Sequence, residues 1–148
     1  MKSSKENKRV LFLSLSGIGN LLMQLPTIEA VKKSHPSWHI TIWVAPRGTK
    51  AIAEVQPCID EVLEMNIKAN ILKHAKNISV LRTYHFDIAF VLSPGQLMKS
   101  AAYLALSRIP IRIGHAYPYK KEQHSSAFLT HAIPEDPTLH DIEQNLKL

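Results

Sequence analysis

Short, nearly uninterrupted apolar runs, each followed by a stretch with helical spacing, constrain this chain more than any other feature of its sequence. The run RVLFLSLS at residues 9–16 reads as a buried strand, and residues 21–34 as a helix that ends before Pro36. A second β-branched run, ITIWVA, fills residues 40–45; residues 48–55 read as a short helix closed by Pro57, and 61–65 as a short strand. Residues 67–84 place Ile71, Leu72, Ala75, Ile78 and Leu81 at helical intervals. FDIAFVL at 86–92 is a third strong strand, 96–106 another helix, and 111–114 the start of one more strand. Strands that are apolar at almost every position, rather than at every second one, belong to parallel sheets covered on both faces. The expected fold class is therefore α/β, a doubly wound parallel sheet.

A chain of 148 residues supports one domain with a real core. Residues 1–8 are expected as a flexible basic tail and residues 9–148 as the folded domain. No apolar stretch approaches the roughly 20 residues needed to span a bilayer. The first apolar run is broken by serines and lacks a small-residue cleavage site, which argues against a signal peptide. Cys58 is the lone cysteine, so no internal disulfide forms, and a cytoplasmic, reducing setting is expected. The net charge of +6 gathers in Lys2, Lys5, Lys8 and Arg9 and again in Lys99, Arg108, Arg112, Lys120 and Lys121. Such clustering suits a phosphate-rich partner or simply a soluble surface. The aromatic residues are not interleaved with the basic ones, which speaks against nucleic acid.

The first strand runs into Ser16-Gly17-Ile18-Gly19-Asn20, at the strand end where doubly wound sheets bind ligands. Glycines there let main-chain N–H groups approach a ligand, and the following helix N-terminus favours negative charge. Leu22 stands where a dinucleotide fingerprint has its third glycine, and the second strand ends in Ala45-Pro46-Arg47 without the acidic ribose partner. An ordinary NAD site is thus disfavoured, as is a small nucleotide-binding module, and no Gly-Lys-Ser/Thr follows to make a P-loop. On the residues alone the turn is either a tight corner or a ligand cradle. The histidines make no metal site: Pro36 separates His35 from His39, and His124, His131 and His140 are widely spaced without cysteines or grouped carboxylates. Cys58, Trp38 and Trp43 read as packing residues. Residues 118–126, PYKKEQHSS, read as a loop. TLHDIEQNLKL, from residue 138, has helical spacing with Leu139, Ile142 and Leu146 on one side, as if to continue or to pack on something further.

Taken in order, several stretches resemble one family. LSGIGNLLMQLPTIEAVKKSHPSWHITIWV is similar to the opening of the heptosyltransferases, glycosyltransferase family 9: a strand, a serine, a G-x-G-D-type turn, a helix with a proline, and a second strand entered through Y/H-P. PCIDEVLEM is similar to the family's third-strand entry. FDIAFVLSPGQLMKSAAYLALSRIPIRIGH resembles its fourth strand, K-S-A helix and I-P-x-R-x-G strand, and HDIEQNLKL its late helix before the interdomain crossing. The match runs from Arg9 over nearly the whole chain. It implies a GT-B architecture of two Rossmann-like domains facing across a cleft, of which this chain is the N-terminal, acceptor-side half. The C-terminal half that grips the nucleotide-sugar donor is expected to be absent. The implied activity is inverting, metal-independent transfer from ADP-heptose or a similar donor to a lipid-linked sugar acceptor of the lipopolysaccharide core. No cofactor is implied. The implied setting is the cytoplasm, with peripheral contact at the inner membrane.

The resemblance also assigns roles. Inverting transfer needs a base to take the acceptor hydroxyl's proton, and the family's candidate is the aspartate that ends the glycine-rich turn. Asn20 occupies that position here. An amide cannot take the proton but can orient a hydroxyl, and Asn20 can alternatively cap a helix starting at Leu21. Ser16, Gly17 and Gly19 are implied as substrate-binding residues. Lys99 and Ser100 match the K-S pair, implying an acceptor phosphate or carboxylate, with a solvated lysine as the alternative. Arg112 matches the arginine of I-P-x-R-x-G and is expected on an anionic ligand or on an internal carboxylate such as Asp87. Arg108 stands where the family more often has glycine. His115, where the family often has an aromatic residue, is expected at the cleft. The competing reading is a truncated or degenerate, non-catalytic binding domain of the same fold.

Overall fold

The computed structural model describes residues 7–46, 48–66, 70–93, 97–117 and 125–148. Along the chain these form β1 (Arg9–Ser14), α1 (Ile18–Ser34), β2 (His39–Val44), α2 (Lys50–Glu54), β3 (Glu61–Glu64), α3 (Ile71–Thr83), β4 (Ile88–Val91), α4 (Leu97–Leu106), β5 (Ile111–Ala116), a single 3-10 turn (Ser125–Phe128), β6 (His131–Pro134) and α5 (Asp141–Asn145). All strand pairings are parallel, in the order β3-β2-β1-β4-β5-β6. This is the doubly wound sheet that the apolar runs imply.

The strands are apolar throughout because both faces are covered. From β1, Val10 and Phe12 point to one side and Leu11 and Leu13 to the other, and all four are buried. The first side packs against Leu21, Leu25 and Ile28 of α1 and Ala53 of α2. The second packs against Leu81 of α3 and Ala101 and Leu104 of α4. Phe12 stacks on Phe90 of β4 with ring centroids 4.7 Å apart, and Trp43 meets Tyr103 edge-on at 5.4 Å. Each such side chain contributes on the order of 1.5–3 kcal/mol through burial.

Where the structure departs from the sequence pattern, hydrogen bonding decides. Helix α1 begins at Ile18, not Leu21: Gly17 is its N-cap in extended conformation, and its carbonyl accepts from the Leu21 N–H at 3.2 Å. Pro26 lies inside α1, where its missing N–H leaves one hydrogen bond of the ladder unmade. Strand β6 has no apolar run to announce it, because its residues are mostly exposed at the sheet edge. Residues 67–69 of the expected third helix and 118–124 of the expected loop lie outside the described residues. The final helix buries the polar Gln144 and Asn145 and leaves Leu146 half exposed, reversing the face that the leucine spacing implied. His140 caps it, its ring accepting from the Ile142 N–H at 3.3 Å while Glu143 accepts from the His140 N–H at 3.2 Å.

Helices α3 and α4 both end at the amino edge of the sheet. Arg82 donates through Nε and Nη2 to the Leu106 carbonyl at 3.1 and 2.8 Å, satisfying the end of α4. Arg108 follows in the left-handed region, with φ of 60°. That backbone is what a glycine adopts freely and an arginine only with strain. Arg108→Gly is therefore expected to raise unfolding stability by about 0.5–1 kcal/mol, read by urea denaturation.

Candidate functional site

Parallel strands bring all their carboxyl ends to one edge, and the order places β1 beside β4. The helix after β1 packs on one face of the sheet and the helix after β4 on the other. The chain therefore diverges between these two strands and leaves a crevice at their ends.

On the β1 side the wall is Ser16 to Asn20. A Cβ added at Gly17 or Gly19 would meet nothing within 4 Å, and neither glycine has a positive φ. Neither crowding nor backbone strain requires glycine here; what the two positions provide is bare main chain facing open space. The first turn of α1 has no acidic residue and no side-chain cap, so its N–H groups remain available to an oxygen or an anion. Asn20 lies in that turn, partly exposed, and its side chain bonds no described residue. The cap position belongs to Gly17, so the alternative of Asn20 as helix cap is corrected.

On the β4 side, Ser93 is held by a dense set of side chains. Its N–H donates to Asn145 Oδ1 at 2.8 Å and its carbonyl accepts from Asn145 Nδ2 at 2.7 Å. Its Oγ donates to Asp141 Oδ1 and accepts from the Tyr117 hydroxyl, both at 3.2 Å, and Gln24 Nε2 of α1 reaches its carbonyl at 3.4 Å. Asn145 thus replaces, for one residue, the ladder partner that β4 loses at its end. The connection from β4 leads to Lys99, which is exposed near the start of α4, and Ser100, which is buried and engaged. Of the expected K-S pair, only the lysine faces solvent at the ligand edge.

Two expected site residues sit elsewhere. Arg112 is near the start of β5, at the opposite, amino edge. Its Nε donates to the Phe128 carbonyl at 2.6 Å and its Nη1 to the Ile109 carbonyl at 2.5 Å. The partners are main-chain carbonyls, neither an anion nor Asp87, whose carboxylate accepts from the Arg9 N–H at 2.8 Å. Arg112 braces the turn that precedes β6. His115 lies nearer the carboxyl end of β5 but is fully buried, not open to the crevice. Neither ring nitrogen meets a partner in hydrogen-bonding geometry, and the same holds for Ser14 Oγ and Gln24 Oε1. Burial pushes the His115 pKa below its ordinary value, and the nearby main chain of Ile133 and Gln144 and the Glu135 carboxylate offset this only in part.

Gln24, Ser93, Tyr117, Asp141 and Asn145 form no local motif, and only Gln24, a polar residue inside the greasy LLMQLP, gave a sequence signal. Among the described residues no group of three His, Cys, Asp or Glu side chains is placed to hold a metal ion. No described helix is long and apolar enough to cross a membrane. Because the folded chain resists protonating His115 while the unfolded chain does not, stability is full above the unfolded value of about 6.5 and falls as pH drops below it. The thermal midpoint is expected to decline through that window, and His115→Gln to flatten the decline.

No family model matches the sequence, and no curated protein matches it. Solved structures do match. Escherichia coli heptosyltransferase WaaC with ADP superposes with a TM-score of 0.78 at 21% identity, covering 95% of this chain and 45% of that one. E. coli ADP-heptose LPS heptosyltransferase II gives 0.78 at 20% identity, over 95% of this chain and 39% of its own. A glycosyl transferase family 9 protein from Veillonella parvula gives 0.75 at 21% identity, again over 95% of this chain and 39% of its own. The chain thus spans less than half the length of each of these structures. Its six-stranded parallel sheet and flanking helices are the fold that heptosyltransferases of glycosyltransferase family 9 carry in one portion of their length.

Proposed function

We propose that this chain is the acceptor-side domain of an inverting, metal-independent glycosyltransferase related to the heptosyltransferases. The observation that carries the reading is the open space over Gly17 and Gly19 at the β1–β4 crevice, in a fold that those enzymes share. In the proposed reaction, the acceptor oxygen attacks the anomeric carbon of a nucleotide-sugar. A carbon–oxygen bond forms on one face while the bond to the nucleotide's phosphate breaks on the other, and the hydroxyl proton passes to a base. The N–H groups of the first turn of α1 and the Lys99 ammonium would hold an anionic group of the acceptor. Asn20 would orient the hydroxyl through its amide oxygen. The donor site is assigned to a second half of the kind the longer structures possess. On this reading the 148-residue chain alone binds acceptor without transferring sugar, at the cytoplasmic face of a membrane that carries the lipid-linked acceptor.

Asn20 also favours a second reading, a binding domain of the same fold without catalysis, because an amide cannot accept the proton. The two separate experimentally. With the domain joined to a donor-binding half from a heptosyltransferase, Asn20→Asp is expected to raise transfer by about 100-fold, the scale of a restored general base. An unchanged rate assigns position 20 no part in proton transfer. Lys99→Ala is expected to weaken binding of a phosphorylated acceptor by about twofold to fivefold at low salt and less at high salt, measured by titration calorimetry.

A further inference from the structure

Each helix of a parallel sheet starts at the carboxyl edge, so the first turns of α3, after the outer strand β3, and of α4, after β4, both lie at the edge that carries the crevice, on the same face. Their exposed residues are unusual for a soluble surface. Ile71 is 82% exposed and Leu72 76% exposed, adjacent in the first turn of α3, and Met98 in the first turn of α4 is 40% exposed. Single exposed apolar residues need no explanation, but large ones grouped at one edge do. His74 Nδ1, in the first turn of α3, is hydrogen-bonded to the Tyr103 hydroxyl from the second half of α4, which links the two helices.

Lysines surround these tips. Lys73 and Lys76 line a groove of about 460 Å³ whose apolar wall is Leu63, Met65 and Val80 and whose acidic residue is Glu64. Lys99 is exposed one residue beyond Met98. Neither first turn contains an acidic residue. Lysine is depleted at the cores of protein interfaces, whereas apolar tips interleaved with long basic stems match the boundary of an anionic bilayer.

We propose that the first turns of α3 and α4 are a membrane-docking surface. Ile71, Leu72 and Met98 enter the boundary between headgroups and acyl chains, and Lys73, Lys76 and Lys99 meet the lipid phosphates. The proposal rests on the acceptor-side reading for its purpose: a lipid-linked sugar rising from the bilayer then arrives beside the β1–β4 crevice.

The test is co-sedimentation of the chain with vesicles that lack any glycolipid, made either of phosphatidylcholine alone or with one-third phosphatidylglycerol. Lys2→Gln and Lys5→Gln are introduced throughout to lower the contribution of the basic tail. Binding is expected to be about tenfold tighter on the anionic vesicles and to weaken at high salt. Ile71→Ser with Leu72→Ser should reduce binding about tenfold on anionic vesicles, while Lys73→Glu with Lys76→Glu and Lys99→Glu should erase the preference for anionic lipid. Circular dichroism and the melting midpoint are expected to stay unchanged, since these side chains are exposed. Absence of binding to anionic vesicles, or binding indifferent to the Ile71 and Leu72 changes, overturns the proposal. So does self-association that the same two changes abolish without any vesicle binding, which would assign the surface to protein contact. Titration with a delipidated, phosphorylated core oligosaccharide keeps the two readings apart. If the sugar binds and the vesicles do not, the docking surface fails and the acceptor reading stands; the reverse result leaves a lipid-binding domain and removes the acceptor reading.

Discussion

The parallel pairing of β1 with β4 is the contact on which the rest of the molecule depends. It joins segments 78 residues apart, as measured between Arg9 and Asp87 at its amino end. Phe12 stacked on Phe90 fills one face of the pair, and Leu11, Leu13, Ala89 and Val91 fill the other. Once these strands lie side by side, the helices that follow them must leave on opposite faces, because each continues to a neighbour on a different side of the sheet. The crevice is a consequence of connectivity. No residue in it has to be selected for opening the gap, only for what it presents there.

The strands were legible because burial on both faces writes itself into consecutive residues, as in ITIWVA and FDIAFVL. The ligand-edge turn was legible too, since two glycines and a helix start after the first strand have a physical meaning wherever the fold is doubly wound. What escaped the sequence was settled by bonds between distant groups. Asn145 in a terminal helix and Ser93 at a strand end have no local pattern in common, yet they exchange two hydrogen bonds. An arginine in an apolar strand needs a partner, and Arg112 was expected on an anionic ligand or on Asp87; two main-chain carbonyls supply the partner instead. His115 was expected at an opening, but α5 and β6 cover the end of β5 on its side. An exposed edge strand such as β6 carries no apolar signature at all.

Carboxylates play different parts at the two edges of the sheet. At the amino edge, carboxylates receive the main-chain N–H groups that open the strands: Asp87 accepts from Arg9, and Asp60 accepts from Ile40 at 2.7 Å and from the Lys32 ammonium at 2.7 Å. Burial tends to raise the Asp60 pKa, but those hydrogen bonds and Lys32 outweigh it and hold the carboxyl below its ordinary value. At the carboxyl edge the first turns of α1 to α4 contain no acid, and Lys50, Lys73 and Lys99 stand there exposed. Along α1 to α4 the carboxyl edge thus presents lysines with no acid in the same first turn, whereas α5 opens on Asp141 and Glu143.

The clasp on Ser93 has a temporal side. A chain emerging from the ribosome presents β1, β2, β3 and β4 in turn, and the hydrophobic faces of these strands can begin to pair as they appear. The end of β4 stays unlatched until residue 145 has been made and its amide has swung in beside α1. The end of β4 beside the crevice is thus fastened only after β5, β6 and α5 have been made, and a nascent chain stopped short of Asn145 holds a sheet whose ligand edge is not yet latched.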